Sequence, residues 1–201
     1  MRKDSNMPAN RKHQPVEAKR AKLVTVARDL FLLDGYDATP MNRIAAGADV
    51  TPNTIYWYFT DKEQLLLAVL DDFLETAVAA HALIAKAPLA EQFQQLALYL
   101  RRSRNLVSMV HALIDRSEAI SRWHNNFHAT FEGIYAEAMP RTFTPGDRAA
   151  EMKILSFAIE GMVSHDLSKK EIISICQGLA SRWSAAPKVA SKTRPSVPKK
   201  K

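Results

Sequence analysis

The chain is poor in cysteine and glycine and has no long apolar run. Its one cysteine, Cys176, excludes an internal disulfide and a metal-thiolate cluster. The six glycines form neither a phosphate-binding loop nor a dinucleotide fingerprint. No apolar run approaches the roughly 20 residues that span a bilayer, and the first residues are charged rather than apolar. The sequence therefore predicts neither a membrane helix nor a signal peptide, and we expect a protein of the cytoplasm.

Motifs of catalysis are also missing. The chain has no Gly-x-Ser-x-Gly and no pair of carboxylates with a histidine in a shared motif. Cys176 lies among Ile172, Ile175 and Leu179, a setting typical of a small core residue. We predict that the protein is not an enzyme and that it needs no cofactor.

The residues that are present predict an all-α fold. Apolar residues make up 47% of the chain, enough for a sizeable core, and their spacing is helical rather than alternating. Breaks at Pro88, near Asn105, near Ser117, at 140–146 and at Ser168 delimit about six helices after an N-terminal group of three. The prediction is about nine helices in total.

Two threonine-proline pairs, at 39–40 and 51–52, open neighbouring helical stretches. A threonine side chain can accept the free amide hydrogens of a first helical turn, and a following proline presets φ. The segment 48–50 must turn between the two helices, and its aspartate tolerates a left-handed backbone. The second helix then turns Ile55 and Phe59 inward and leaves polar and aromatic side chains outside. This pattern predicts a helix-turn-helix.

The flanking helices also have recognisable ends. The first runs over about residues 16–33 and is followed by Gly35, where a left-handed stop is expected. A third start lies at residues 60–63, where Thr60 is predicted as the cap and Glu63 as the residue that reaches back. The helix that begins there, to about Lys86, is predicted to join the N-terminal helices to the rest of the chain.

The N-terminal segment strongly resembles the TetR family of bacterial transcriptional regulators over about residues 23–70. The resemblance is carried by Ala27-Arg28-Asp29-Leu30-Phe31, Gly35-Tyr36, Thr39, Ile44-Ala45, Ala48-Asp49-Val50, Thr54-Ile55-Tyr56, Tyr58-Phe59 and Lys62-Glu63-Gln64-Leu65-Leu66. It implies an N-terminal three-helix helix-turn-helix domain that binds DNA, followed by a helical domain that binds a small ligand and dimerises. Asp49 and Asn53 stand where the family usually has glycine, so we expect base contacts particular to this chain.

The net charge of +7 is concentrated at the two ends of the chain. Residues 1–62 carry +3, residues 63–186 carry −2 and residues 187–201 carry +6. Basic ends suit the neutralisation of DNA phosphates, although a solvated tail has the same composition. The predicted organisation is a flexible basic arm (1–14), a helix-turn-helix DNA-binding domain (15–62), an effector-binding and dimerisation domain (63–186) and a disordered basic tail (187–201).

The resemblance places the DNA contacts on the two short helices and at the start of the next. Base edges are assigned to Pro52, Asn53 and Tyr56, although Tyr56 could instead pack on the first helix. Phosphates and supporting contacts are assigned to Thr39, Asn42, Arg43, Thr51, Thr54, Trp57, Tyr58 and Lys62. The expected partner is double-stranded DNA with an inverted-repeat operator, bound by a homodimer in the bacterial nucleoid.

The last two helices offer more apolar positions than an internal core obviously needs. Facing copies from two subunits would form a four-helix bundle, the assembly that the family resemblance implies. The alternative is that these residues pack inward. The predicted interface consists of Leu155, Ile159, Met162, Ile172, Ile175, Leu179 and Trp183.

A ligand cavity, implied by the resemblance, is expected among the central helices. Its predicted lining is Met109, His111, Trp123, Phe127, Phe131 and Tyr135, although an aromatic stripe at this spacing is more often ordinary core. Such a lining favours a hydrophobic or aromatic effector, whose identity the sequence does not give. His124 and His128 have a spacing able to hold a metal, but no carboxylate or cysteine set completes the site, so none is predicted.

The sequence thus predicts a DNA-binding regulator. Its expected action is that of a repressor released from a pseudo-palindromic operator by a small hydrophobic or aromatic ligand. Two alternatives stay open: a non-specific architectural DNA-binding protein that uses its basic tail, and a regulator that responds to no ligand.

Overall fold

The computed structural model describes residues 13–184, with side chains from residue 16 onward. These residues form nine helices and no strand, which confirms the predicted all-α class. The predicted arm and tail lie outside the described residues, except that residues 13 and 14 begin the first helix. The helices are α1 (His13–Asp34), α2 (Met41–Gly47), α3 (Pro52–Tyr58), α4 (Lys62–Ala82), α5 (Leu89–Arg102), α6 (Arg104–Leu113), α7 (Glu118–Ala136), α8 (Pro145–Ser164) and α9 (Lys169–Ser184).

Helices α1, α2 and α3 pack around a small apolar core. Phe31 of α1, Ile44 of α2 and Ile55 of α3 are essentially inaccessible to solvent. Gly47, in the last turn of α2, allows close approach to α1, because a Cβ at this position would lie 2.8 Å from a methyl carbon of Val26. Burial of these side chains, rather than the length of the two short helices, holds the helix-turn-helix in shape.

The two threonines that precede proline have different roles. Thr51 caps α3 as predicted, since its hydroxyl accepts a hydrogen bond from the amide of Thr54 at 3.2 Å. Thr39 is fully buried, and its hydroxyl donates to the carbonyl of Gly35 at 2.8 Å. The prediction of Thr39 as a helix cap is therefore wrong, because α2 has no side-chain cap and the hydroxyl instead holds the α1–α2 loop.

The cap of α4 lies one residue later than predicted. Asp61, not Thr60, accepts the free amide hydrogen of the first turn, from Gln64 at 2.7 Å. The side chain of Gln64, not that of Glu63, reaches back to accept from the amide of Thr60 at 2.8 Å. A carboxylate at this position also meets the positive end of the helix dipole, which favours Asp61 over the neighbouring hydroxyl.

The remaining helices build a second core around α5, which packs against α4, α8 and α9. Phe93 of α5 lies edge-on to Tyr135 of α7 at 5.1 Å and to Trp183 of α9 at 5.2 Å between ring centroids. Cys176 is fully buried, and burial raises the pKa of its thiol to about 11, as expected of an unreactive core residue. Among the described helices, none combines the length and apolarity that a bilayer crossing requires.

Most of the residues predicted at the dimer interface face the core of their own subunit. Five of the seven are at most 5% exposed: Leu155, Ile159, Met162, Ile172 and Trp183. Their assignment to a surface is wrong, because α8 is apolar on two faces and periodicity alone does not show which one points inward. The outward apolar side chains are Ile154 and Phe157 of α8, with Ile175 and the half-buried Leu179 of α9.

The left-handed backbone conformation of the α2–α3 turn can be tested by substitution. Asp49 has φ of 56°, in the left-handed region that strains most side chains. Asp49→Ala and Asp49→Gly both remove the exposed ion pair with Lys22, so the difference between them isolates the backbone effect. We expect the glycine variant to have the higher free energy of unfolding, by about 1–2 kcal/mol, in urea denaturation. Equal stability of the two variants would contradict a left-handed turn.

Candidate DNA interface and ligand cavity

The outer face of α3 carries polar and aromatic side chains. Pro52 and Asn53 are exposed, Tyr56 is 51% exposed and Trp57 is 69% exposed. The alternative that Tyr56 packs on α1 is not what the structure shows. Trp57 meets the half-buried Tyr58 edge-on, with ring centroids 4.7 Å apart, so the pair is held in a fixed arrangement. This face offers amide, phenol and indole donors on a rigid helix.

The neighbouring predicted contacts are partly engaged within the chain. Asn42 and Arg43 are exposed on α2, and the guanidinium of Arg43 lies 2.8 Å from the carboxylate of Asp34. Thr54 is half-buried, with its hydroxyl 2.8 Å from that of Thr51. The buried hydroxyl of Thr39 is the one predicted contact whose side chain does not reach this surface.

Lys62 holds the loop between α1 and α2. Its ammonium donates to the carbonyl of Tyr36 at 2.8 Å and to that of Asp37 at 3.4 Å, and it lies 4.3 Å from the centroid of the Tyr36 ring. An ammonium has three donors, so one remains for a phosphate. The sequence assigned Lys62 to phosphate alone and missed this second role, because the α1–α2 loop is 25 residues away.

The α1–α2 loop is also bound by a side chain from the α6–α7 connection. Two nitrogens of the Arg116 guanidinium, in the α6–α7 connection, donate to the Asp37 carboxylate at 3.0 and 3.2 Å. These hydrogen bonds lower the pKa of Asp37 and raise that of Arg116. Both side chains are more than half exposed, so the pair fixes geometry more than it adds stability.

Helices α4 to α8 line a cavity of about 70 Å³ that opens to solvent. Five of the six predicted residues line it: His111, Trp123, Phe127, Phe131 and Tyr135. Met109 does not. The sequence reasoning missed the contributions of the other helices, since these are distant along the chain: Leu70, Phe73, Leu96, Leu100, Met152, Leu155, Ser156, Ile159, Glu160 and Val163.

The aromatic stripe of α7 forms one wall of the cavity. Phe127 lies between Trp123 and Phe131, with ring centroids 5.6 and 5.1 Å away. The indole nitrogen of Trp123 donates to the carboxylate of Asp71 at 3.0 Å, which ties this wall to α4. The cavity interior is therefore apolar and aromatic, and one of its walls is bonded to the helix that leads to the N-terminal domain.

Polar side chains gather at one part of the cavity. The Nε2 atom of His124 lies 3.2 Å from Nε2 of both His111 and His128, and the latter lies 3.1 Å from the carboxylate of Glu160. Burial, His128 and His111 lower the pKa of His124 to about 4. The hydrogen bond from His128 lowers the pKa of Glu160. The sequence interpretation that no carboxylate joins these histidines is wrong, because α8 brings Glu160 to them.

Comparison with known families matches the N-terminal helices. Residues 23–69 match the model of the bacterial regulatory proteins of the tetR family. The chain is 38% identical over 61 residues to the HTH-type transcriptional regulator HbdR of Aromatoleum sp. (strain CIB), covering 30% of this chain and 27% of that protein. It is 31% identical over 97 residues to RutR of Escherichia coli K12, covering 47% and 46%. The matches thus span less than half the length of these relatives.

Solved structures extend the likeness to the whole fold. Salmonella enterica GusR superposes with a TM-score of 0.65 at 20% identity, covering 83% of this chain and 94% of that one. A TetR/AcrR-family regulator from Thermobifida fusca gives 0.60 at 23% identity, covering 81% and 97%. HbdR, RutR and the Thermobifida fusca protein are described as transcriptional regulators, in agreement with the prediction that this protein is not an enzyme. The N-terminal helices of this chain are thus similar to those of the tetR family of bacterial regulatory proteins, and the fold of its described residues is similar to that of a solved TetR/AcrR-family structure.

Proposed function

We propose that the protein is a sequence-specific DNA-binding regulator that reads an inverted repeat as a homodimer and is released by a small apolar ligand. The observation that carries the DNA-binding part is the outer face of α3. Asn53, Tyr56 and Trp57 project from a helix whose other face is locked into the core by Ile55. Rigid, exposed hydrogen-bonding side chains on a helix-turn-helix suit the major groove.

Asn53 is the side chain best suited to read a base. An asparagine amide can donate to and accept from an adenine edge at once, and Asn53 is exposed in the first turn of α3. Pro52 and Tyr56 flank it on the same face, while Thr51, Trp57, Tyr58 and Lys62 are assigned to phosphates. Asn42, Arg43 and Thr54 support the same surface. Arg20, whose guanidinium lies 5.1 Å from the Phe59 ring, is a further basic group beside α3.

The dimer interface is proposed on the outward face of α8 and α9. Phe157 is 69% exposed, and Ile154 of the same helix and Ile175 of α9 are also exposed. An exposed phenylalanine with aliphatic neighbours loses water-accessible apolar area when a second copy covers it. TetR-family regulators bind DNA as homodimers, and a single domain of this size makes too few base contacts to be specific.

The cavity supports an apolar effector. Its walls are aromatic and aliphatic, and its ionisable or hydroxyl-bearing groups include the histidine and glutamate cluster, the half-buried Ser156 and the exposed Glu132. Pockets of this kind bind ligands through apolar burial, with a few polar groups that fix orientation. Release of DNA requires that the ligand favour one arrangement of the two DNA-binding domains over another.

Two contacts connect the cavity with the DNA-binding domain. Trp123 in the cavity wall is bonded to Asp71 of α4, and α4 carries Lys62 at its first turn. Arg116, which follows the cavity-lining helix α6, is bonded to Asp37. A ligand that displaces α6 or α7 therefore acts on the α1–α2 loop from two directions, and this repositions α3 as part of a rigid body.

Selection of random duplex DNA by the full-length protein tests sequence reading. We expect an enriched inverted repeat whose preferred bases change in Asn53→Ala, at a cost of about 1–3 kcal/mol on the original site. Lys62→Ala is the matched control, expected to weaken all sequences alike and to lower the salt slope. A Lys62 variant that alters base preference alone would contradict the assignment. Binding without enrichment, and only at low salt, would instead indicate an architectural protein.

Phe157→Glu tests the dimer surface. The buried, unpaired carboxylate should weaken dimerisation by roughly 2 kcal/mol or more and lower affinity for the inverted repeat, as followed by sedimentation and DNA titration. Leu83→Glu is the control, since Leu83 is 88% exposed at the end of α4 and is not part of the proposed surface on α8 and α9. Unchanged dimerisation of the Phe157 variant would exclude this surface.

A compound panel tests the effector class. We expect hydrophobic or aromatic compounds to raise the melting temperature and to release DNA, because they fill the apolar cavity. Phe127→Ala should weaken the response by removing the central ring of the aromatic wall. Stabilisation by polar compounds alone would contradict the assignment, and no stabilisation together with specific DNA binding would indicate a regulator without a ligand.

A further inference from the structure

Four side chains from three helices converge where the cavity meets its polar cluster. His111 lies on α6, His124 and His128 on α7, and Glu160 on α8. The donor atoms of His111, His124 and Glu160 all lie within 4.8 Å of one another. His128 adds a second contact to both His124 and Glu160. We propose that this cluster is a binding site for a divalent transition-metal ion of the zinc type.

The distances match those between ligands of one ion. Two ligands at tetrahedral angles around Zn²⁺, with bonds of about 2.0–2.1 Å, stand about 3.3 Å apart. The Nε2 atoms of His111 and His124 are 3.2 Å apart, as are those of His124 and His128. A carboxylate oxygen of Glu160 lies within 4.8 Å of a ring nitrogen of both His111 and His124. His111, His124 and Glu160 are assigned as ligands, and His128, whose Nε2 lies 3.1 Å from the Glu160 carboxylate, as the residue that orients Glu160.

The chemistry of the donors selects the class of metal. Imidazole nitrogens with one carboxylate suit Zn²⁺, Co²⁺ and Ni²⁺, whereas Mg²⁺ and Ca²⁺ require mainly oxygen ligands. Without a metal, each contact between two Nε2 atoms needs a shared proton, since two neutral nitrogens that both lack hydrogen repel. An ion would replace the proton shared between His111 and His124 with a bond to each of these two nitrogens.

A bound ion would join helices that otherwise touch through few side chains here. It would fix α6 to α7 and α7 to α8 at the cavity, so the protein loaded with metal should resist unfolding better than the free chain. The site does not depend on DNA reading, and it is tested on the protein alone. Failure of one proposal therefore leaves the other standing.

Cobalt provides the direct measurement. Untagged full-length protein, stripped with a chelator, is titrated with Co²⁺ and followed by its visible d–d absorption, and Zn²⁺ is then added as competitor. We expect one Co²⁺ per chain with an absorption that Zn²⁺ abolishes, and a rise in melting temperature with Zn²⁺. His124→Ala should eliminate the absorption. His128→Ala should lower the affinity roughly 10–100-fold, as removal of an orienting partner does.

The control variants separate the site from general histidine binding. His165→Ala removes an exposed histidine outside the cluster, and it should bind Co²⁺ like the unaltered protein. His111→Ala and Glu160→Gln alter partly exposed side chains and leave the core intact. They therefore test metal binding even if His124→Ala does not fold. Each should lower the affinity at least tenfold. No saturable Co²⁺ binding, or equal loss in the His165 variant, would overturn the site and leave a hydrogen-bonded histidine chain.

Discussion

Helix α4 belongs to two cores at once, and the arrangement of the chain depends on it. Its first half buries Leu65, Leu66 and Val69 completely, beside the N-terminal helices. Its second half buries Phe73 and Ala77 among the helices of the second core. No proline interrupts the helix, so it does not bend cheaply between the two halves. The proposed DNA-binding face and the cavity are consequently held by one continuous helix, so a shift at one end is expected to reach the other.

The weak polar contacts around α4 set position rather than stability. The Arg116–Asp37 pair is exposed and screened by salt, so its removal costs little folding free energy. It nonetheless selects one placement of the α1–α2 loop, together with the ammonium of Lys62. The part-buried hydrogen bond from Trp123 to Asp71 likewise fixes the position of α7 on α4. Such contacts fix one arrangement of the helices at a small cost in free energy. A ligand with a modestly higher affinity for a second arrangement can therefore shift the equilibrium towards it.

Local sequence signals predicted the fold well, because the start and the end of a helix depend on a few adjacent residues. The helix count, the Gly35 stop, the α2–α3 turn and the outward face of α3 followed from capping chemistry and periodicity. Two of the errors concerned helix caps. Thr39 and Thr60 both have a side chain that can cap a helix. Thr39 is instead buried in the α1–α2 loop, and Asp61 rather than Thr60 caps α4.

The sequence could not show which face of a helix points inward when two faces are apolar. It also could not show which side chains from distant helices lie together. In α8 the inward and outward apolar rows are both present, so Leu155 and Ile159 could equally have been placed at a dimer surface. Glu160 is more than 30 residues from the histidines it joins, and no spacing rule connects them. Those positions became visible only when the packing of α6, α7 and α8 fixed which side chains face one another.

Helix α8 combines three environments around its circumference, and this gives it a place in the proposed regulation. Leu155 and Ile159 line the cavity, Glu160 joins the histidine cluster, and Phe157 points to solvent on the opposite side. A helix moves as a unit, so an occupant of the cavity that displaces the inner row also displaces the outer one. If the outer row meets a second copy, the state of the cavity and the spacing of the two DNA-binding domains are coupled through α8 as well as α4.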